Sequence, residues 1–124
     1  MCSFPHVTVW IILKHINLII SKANEPYRVA VVGASDNTSL MDVQLKLSAT
    51  GLFGTVTTFD VATTTPLLSD LSSFDSVLVF SDRCFANSTA LGDTLAEYVD
   101  AGGGLVIAMQ AFSLDPCLGT AMKI

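Results

Sequence analysis

The feature that most constrains the fold is a series of short, β-branched apolar runs separated by segments with helical spacing. Two of these runs, residues 28–33 (RVAVVG) and 76–80 (SVLVF), are almost wholly apolar. Such runs are typical of strands in a parallel sheet that is covered on both faces. Residues 55–61 (TVTTFDV) are richer in threonine, which favours a strand nearer the sheet edge, and residues 105–109 (LVIAM) form the last predicted strand.

Helical patterns lie between the runs. Ser39, with Asp42 three residues later, predicts a capping-box start for the first helix, and Gly51 predicts its end. Thr65 and Pro66 predict a cap and a first-turn proline for a short helix that ends at Leu71. The apolar stripe of the first helix is Leu40, Val43 and Leu47.

A third helix is predicted to begin at Asn87 or Ser88 and to end at the glycine run 102–104. That run follows a helix, where the helix dipole is negative, so it predicts a C-cap and a tight turn rather than a phosphate loop. The residues that share the apolar face of this helix are Leu91, Leu95, Tyr98 and Val99.

Strands that alternate with helices at this spacing indicate βαβ units with right-handed crossovers. The sequence therefore predicts a three-layer, doubly wound, flavodoxin-like α/β fold with a mainly parallel, four-stranded sheet of order 2-1-3-4. The sheet is expected to be incomplete, with its last strand at an apolar edge. An edge of that kind favours a protein partner or self-association.

The predicted organisation is an apolar extension over residues 1–27, an α/β domain over 28–112 and a short tail over 113–124. Within the extension, residues 7–20 (VTVWIILKHINLII) are too short and too polar to predict a transmembrane helix. A membrane association is not expected, and a cytoplasmic location is predicted. A secretory signal or anchor within residues 1–23 stays open as the alternative.

Charge and residue inventory exclude several classes of function. The net charge of −5 argues against nucleic-acid binding, which needs clustered basic residues. Both histidines, His6 and His15, precede the predicted domain, so no metal and no cofactor are predicted. The wide spacing of Cys2, Cys84 and Cys117 predicts free thiols in a reducing compartment.

Polar residues follow the first and third strands, where ligands bind in open α/β sheets. Ser35, Asp36, Asp82 and Arg83 are therefore candidate ligand-edge residues, and Arg83 is expected either to pair with Asp82 or to bind an anion. A receiver-like signalling domain, with Asp82 as phosphoacceptor and Asp36 holding Mg²⁺, is one alternative. Ordinary turn chemistry for both aspartates is favoured over it.

A dinucleotide site would rest on Gly33 and on Asp60 at the end of the second strand. The fingerprint requires three glycines, and only Gly33 is present. The dinucleotide interpretation is therefore weak.

Three stretches, RVAVVGAS, SSFDSVLVFSD and LGDTLAEYVDAGGGLVIA, carry a resemblance that covers about 85 of the 124 residues. The chain resembles the class I glutamine amidotransferase-like superfamily, in the branch of trehalose-utilisation-like and intracellular-protease-like proteins. The resemblance implies a cysteine nucleophile at the turn that leaves the fourth strand. Gln110 occupies that position, followed by Ala111 and Phe112.

Gln110 cannot act as a nucleophile, so the sequence favours a non-enzymatic role. The first hypothesis is a non-catalytic amidotransferase-like domain for protein or small-ligand interaction, with Gln110 as a further ligand-edge residue. The alternatives are a fragment of a superfamily hydrolase or amidotransferase whose catalytic residues lie on a missing C-terminal part, and the receiver-like domain.

Overall fold

A computed structural model describes residues 26–108 of the chain. Strands and helices alternate strictly along these residues. The strands are β1 (Arg28–Ala34), β2 (Thr55–Asp60), β3 (Ser76–Ser81) and β4 (Gly104–Ile107), and the helices are α1 (Asn37–Ala49), α2 (Leu68–Leu71) and α3 (Ser88–Asp100).

The four strands form one parallel sheet in the order β2-β1-β3-β4. The predicted fold class and strand order are therefore confirmed. β1 lies in the interior of the sheet, between β2 and β3: Val29 pairs with Val56 of β2 on one side and with Ser76 of β3 on the other. This interior position agrees with the composition of β1, because its run is almost wholly apolar. Helices pack on both sides of the sheet, which gives three layers.

One side of the sheet, called here the closed face, packs against α2 and α3. Every second side chain of β1 and β3 points to it, and those residues are fully buried. The aromatic rings of Phe59 and Phe74 meet edge-to-face nearby, with centroids 5.8 Å apart. The sheet residues of the closed face are Ala30, Val32, Ala34, Val77 and Val79, and the helix residues are Leu71, Leu91, Leu95 and Tyr98.

Among residues 26–108, only α1 covers the other side of the sheet. The predicted stripe of α1 packs on β1 and β2, where Leu40, Val31 and Val56 are buried together. The remaining area, formed by Leu78, Phe80 and Val106 of β3 and β4, is called here the open face. Phe80 lies at its border and also packs against the cluster under α1. Val106 is 59% exposed there.

Two helix starts differ from the sequence prediction. Asp36, rather than Ser39, is the N-cap of α1, because its carboxylate Oδ1 accepts the Ser39 backbone N–H at 2.7 Å. The second helix begins at Leu68 rather than at Pro66. Its start is fixed by Asp70, whose carboxylate accepts the Leu67 N–H at 2.8 Å and so satisfies an otherwise unpaired donor.

The ends of α3 agree with the prediction. The Asn87 side chain accepts the Ala90 N–H at 2.9 Å. At the other end, Gly102 has a φ of +98° and the Gly103 N–H donates to the Tyr98 carbonyl at 3.0 Å, which completes a Schellman C-cap. Val99 was expected on the buried face but is 43% exposed. It flanks the buried stripe instead of belonging to it.

Several predictions fall on residues outside the described range. These are the apolar extension, except for its last two residues, the end of the predicted fourth strand at residue 109, Gln110 and the tail 113–124. The domain limits 28–112 therefore stay a prediction. Between residues 26 and 108, no helix combines the length and apolar character that a membrane crossing requires.

Candidate functional site

The candidate site lies at the carboxyl edge of the sheet, between β1 and β3. The chain leaves β1 toward β2 on one side, and the later connections build β3 and β4 on the other side. The crossovers therefore diverge between β1 and β3, which makes this gap the topological switch point. Open α/β sheets bind their ligands in the crevice that forms at such a point.

A side-chain hydrogen bond joins the two loops at the switch point. The Ser35 hydroxyl donates to Asp82 Oδ2 at 2.9 Å, and Ser35 is only 3% exposed. The backbone N–H groups of Asp82 and Arg83 both donate to the Ala34 carbonyl at 3.0 Å. These bonds hold the loop after β3 against the end of β1, so the Asp82 carboxylate has a fixed position.

Asp36 follows Ser35 in the sequence but does not take part in the hydrogen bond to Asp82. Its carboxylate caps α1, and the hydrogen bond from the Ser39 backbone N–H is the largest cause that lowers the pKa of Asp36. The Ser39 hydroxyl and the positive charge of Arg83 lower this pKa further. Asp36 is therefore ionised at neutral pH and committed to the helix start.

Arg83 does not form the expected ion pair with Asp82. Among the described residues, the Asp82 carboxylate accepts from Ser35, whereas the Arg83 guanidinium acts electrostatically on Asp36. The side chain of Arg83 is exposed at the edge. It supplies a positive charge beside two carboxylates.

A groove of about 540 Å³ opens beside the switch point, between the first turns of α1 and the β3–β4 part of the sheet. Its floor is apolar and its upper rim is polar. Asp42 on the rim pairs with Lys46 at 2.6 Å, in a largely exposed contact of one helical turn. The floor consists of Val43, Leu78, Phe80 and Ala108, and the rim consists of Thr38, Ser39, Asp42, Ser81 and Asp82.

The structure thus brings four of the five predicted ligand-edge residues to one edge: Ser35, Asp36, Asp82 and Arg83. The fifth, Gln110, lies outside the described residues. Sequence analysis missed the groove floor. The signal was present in the alternation of β3, since Val77 and Val79 point to the closed face and Leu78 and Phe80 must point the other way.

The residues of the dinucleotide interpretation serve packing and turn formation. A Cβ atom on Gly33 would lie 2.6 Å from Leu40 Cδ2 and 2.8 Å from the Phe80 ring, so Gly33 permits close packing under α1. The Asp60 carboxylate accepts the Ala62 N–H at 2.9 Å and the Thr63 hydroxyl at 3.3 Å, which closes the turn after β2.

The receiver-like interpretation needs several carboxylates free to hold Mg²⁺. Within residues 26–108, no group of three or more histidine, cysteine or acidic side chains is placed to hold a metal ion. Asp36 is engaged as a helix cap and Asp82 accepts from Ser35. This arrangement favours the turn-and-cap roles of both aspartates.

The prediction of free thiols is wrong for Cys84, which is disulfide-bonded. Its loop follows Arg83 at the candidate edge. The wide spacing of the cysteines gave no sign of this bond, because disulfide pairing depends on distance in space.

Comparison with known proteins assigns no family to the chain. No protein-family model, no curated protein and no solved structure matches the chain.

Proposed function

We propose that residues 28–112 form a non-catalytic, amidotransferase-like α/β domain that binds a small ligand at the switch point between β1 and β3. The observation that carries the proposal is the Ser35–Asp82 hydrogen bond at 2.9 Å, which positions a carboxylate at the mouth of the groove. A buried serine that orients a carboxylate at this place is what a recognition site requires.

The chemistry of the edge favours a ligand that offers hydrogen-bond donors. Carboxylate and hydroxyl oxygens dominate the rim, and Arg83 provides a single cation. Hydroxyl and primary amide groups satisfy such acceptors, and an apolar part of the ligand would contact the groove floor at Phe80 and Leu78. Carbohydrate-like and amide compounds, which the resemblance implies, have this character.

The non-catalytic part of the proposal rests on the sequence. Gln110 stands where the resemblance implies a cysteine, and a histidine base is absent after His15. A hydroxyl or thiol needs an adjacent base to become a nucleophile at neutral pH. Ser35 donates to Asp82, but a carboxylate alone lacks the basicity of the histidine that such mechanisms use.

The proposal is tested with the full chain, labelled with ¹⁵N and titrated separately with trehalose and with glutamine. Binding is expected to shift the backbone amide signals of Ser35, Asp82 and Arg83. Asp82→Asn should weaken binding by about tenfold or more, since a hydrogen bond to a charged group is lost. Asp100→Asn removes one carboxylate at the opposite end of α3 and should leave binding unchanged.

Two outcomes contradict different parts of the proposal. If neither probe shifts the edge signals at any concentration, the proposed ligand class is wrong. If the purified chain hydrolyses amides, esters or peptides and loses that activity with Ser35→Ala, the domain is an enzyme.

A further inference from the structure

The outer edge of β2 is unpaired among residues 26–108, because β2 pairs with β1 on its other side. The Val61 N–H donates inward, to the Gly33 carbonyl of β1. Successive residues of a strand direct their backbone groups alternately to its two sides, so the even-numbered residues of β2 direct theirs outward. These residues are Val56, Thr58 and Asp60. A strand edge of this kind is a template for pairing with another strand.

Side chains of the same chain already bind two of the three outward carbonyls. Gln44 of α1 donates through Nε2 to the Val56 carbonyl at 2.7 Å, and the Thr64 hydroxyl donates to the Asp60 carbonyl at 3.1 Å. Thr58 lies midway between them, and within the part of the chain that the structure describes its outward N–H and C=O groups have no such partner. The edge therefore has one fully accessible residue, at its centre.

Exposed apolar side chains lie on α1 beside this edge. Met41 and Leu45 are one helical turn apart and are 49% and 64% exposed. Met41 also lies one turn from Gln44 and so shares its β2 side of the helix. Asp42 and Val43 line the groove on the β3 side of α1 instead. Met41, Leu45 and the outer edge of β2 are called here the β2 seam.

We propose that the β2 seam binds a second copy of this chain, through an antiparallel pair of β2 strands centred on Thr58. The proposal goes beyond the ligand site, and it leaves the groove on the other side of α1 accessible. A twofold axis perpendicular to the sheet relates the copies, so both α1 helices lie on the same side of the joined sheet. In this register, the two Thr58 residues exchange both of their N–H···O bonds.

The spacing between helices fits this pairing. α1 packs over β1 and β2, so its axis lies about half a strand spacing inward from β2. With paired strands about 4.8 Å apart, the axes of the two α1 helices would be about 10 Å apart across the seam. Helices that pack against each other have axes about 8–10 Å apart. The pairing that joins the strands therefore also brings the two α1 helices into contact.

The position of the apolar side chains along the seam fits as well. Gln44 binds the Val56 carbonyl, two residues before Thr58. Because α1 runs antiparallel to β2, the helix residues just before Gln44 lie beside Thr58. A twofold axis at Thr58 therefore passes between Met41 and Leu45. It places Met41 of each copy opposite Leu45 of the other.

Opposed residues on the joined strands are compatible in size and charge. Phe59 of each copy lies opposite Thr57 of the other, and aromatic pairs with β-branched residues stabilise antiparallel strands. Asp60 lies opposite Val56 of the second copy, and the two Asp60 residues are about 13 Å apart along the seam. Although each copy has a net charge of −5, the pairing therefore brings no two like charges into contact.

The size of the seam predicts a weak association. β2 and α1 are both about 20 Å long, and the seam is about 20 Å high from the outer side of α1 to the far side of β2. This corresponds to about 400 Å² per copy before the relief of the side chains is counted, at the low end of interface sizes. The dimer is therefore expected to dissociate on dilution, with a Kd of about 0.1–1 mM.

Sedimentation equilibrium of the full chain, with its disulfide intact, measures the association from ~10 μM to ~1 mM. The wild type should pass from monomer to dimer over this range. Leu45→Lys places a charge against Met41 of the second copy and should weaken the association at least about tenfold. Val99→Lys is the matched control, since it adds the same charge at an exposed apolar position of α3, away from the seam, and should leave the association unchanged.

Two NMR measurements test the geometry of the pair without substitution. The Thr58 amide should shift and exchange more slowly with solvent as the concentration rises, because its N–H gains an acceptor. The Thr57 amide, which donates within the sheet, is the internal control and should keep its exchange rate. In an equal mixture of ¹³C-labelled and unlabelled chain, nuclear Overhauser contacts are expected between the Met41 and Leu45 methyl groups of different copies.

Three results would overturn the proposal. A monomer mass at every concentration would show that the seam binds no second copy. A dimer that resists Leu45→Lys but is lost with Val106→Lys would assign the association to the open face. A dimer that persists on dilution and separates only on reduction would assign it to the disulfide of Cys84. The ligand titration is independent of these results, because it is observed at Ser35 and Asp82, outside the seam.

Discussion

The two sides of the sheet are built from the same strands and yet differ in how they are covered. On the closed face, Ala30, Val32 and Ala34 of β1 and Val77 and Val79 of β3 are aliphatic, and they are completely buried with α2 and α3. On the other side, α1 covers β1 and β2 and reaches only Phe80 of β3, and Val106 remains 59% exposed. The closed face therefore stabilises the fold, whereas the open face and the groove beside it are available for contacts.

The largest expected difference between the sides comes from truncating one leucine on each. Leu91→Ala removes a fully buried side chain of the closed face and should lower the free energy of unfolding by about 3 kcal/mol. Leu78→Ala on the open face should cost about 1–2 kcal/mol, since Leu78 is only half-buried. Urea denaturation measures both. Equal costs would show that the two sides are equally well packed.

A substitution at Gly33 tests how tightly α1 packs on its side of the sheet. Gly33→Ala places a methyl group within 3 Å of Leu40 and Phe80, and overpacking of this kind should cost about 2 kcal/mol. Gly104→Ala is the matched control, because its nearest neighbour atom would lie 3.5 Å away. Equal stability of the Gly33→Ala variant and the wild type in urea denaturation would contradict the close packing under α1.

A substitution at Tyr98 tests the hydrogen bond that its hydroxyl makes within the closed face. Its hydroxyl donates to the Phe74 carbonyl at 2.9 Å, and Tyr98→Phe should cost about 1 kcal/mol at neutral pH. Burial raises the pKa of Tyr98 above its ordinary value of 10.0, with the nearby Asp75 carboxylate adding to the shift. A raised pKa in the folded state means that stability falls as the pH rises above about 10. Thermal unfolding at alkaline pH should show this decline in the wild type and less of it in Tyr98→Phe.

The smallest effect is expected at Asp36, which begins the helix on the open side. Asn is an equally good N-cap, so Asp36→Asn should leave stability unchanged at neutral pH. The pKa of Asp36 is lowered from 3.8 by the hydrogen bond from Ser39, so its carboxylate stabilises the fold above that pH. As the pH falls below 3.8, the wild type should lose stability more steeply than the variant. Parallel acid unfolding curves would contradict this role, and Asp100→Asn controls for the removal of one charge.

Much of the fold follows from local patterns in the sequence. Individual strands and helix ends are predicted by the apolar run of β1, by the helical stripe from Leu40 to Leu47 and by the glycines after α3. The right-handed crossover rule then predicts the order of the strands in the sheet. The starts of α1 and α2 were misplaced by a few residues. Several residues near each start can act as caps, and the choice depends on where the preceding segment leaves the sheet.

The candidate site was only partly accessible to the same reasoning. Strand ends identify Ser35 and Asp82 as residues of one edge, because parallel strands end together. Three other features depend on side-chain positions, which residue spacing does not specify. These are the hydrogen bond from Ser35 to Asp82, the electrostatic effect of Arg83 on Asp36 and the disulfide bond of Cys84.

By itself, the sequence determined the α/β class, the strand order and the closed-face core, because those follow from hydrophobic periodicity and crossover handedness. Only the tertiary structure decided which carboxylate caps α1, which one accepts from Ser35, and how much of β3 and β4 α1 leaves uncovered. Periodicity reports which side chains share a face of an element. The groove and its polar rim exist because α1 lies over β1 and β2, and that placement is a property of packing between elements distant in sequence.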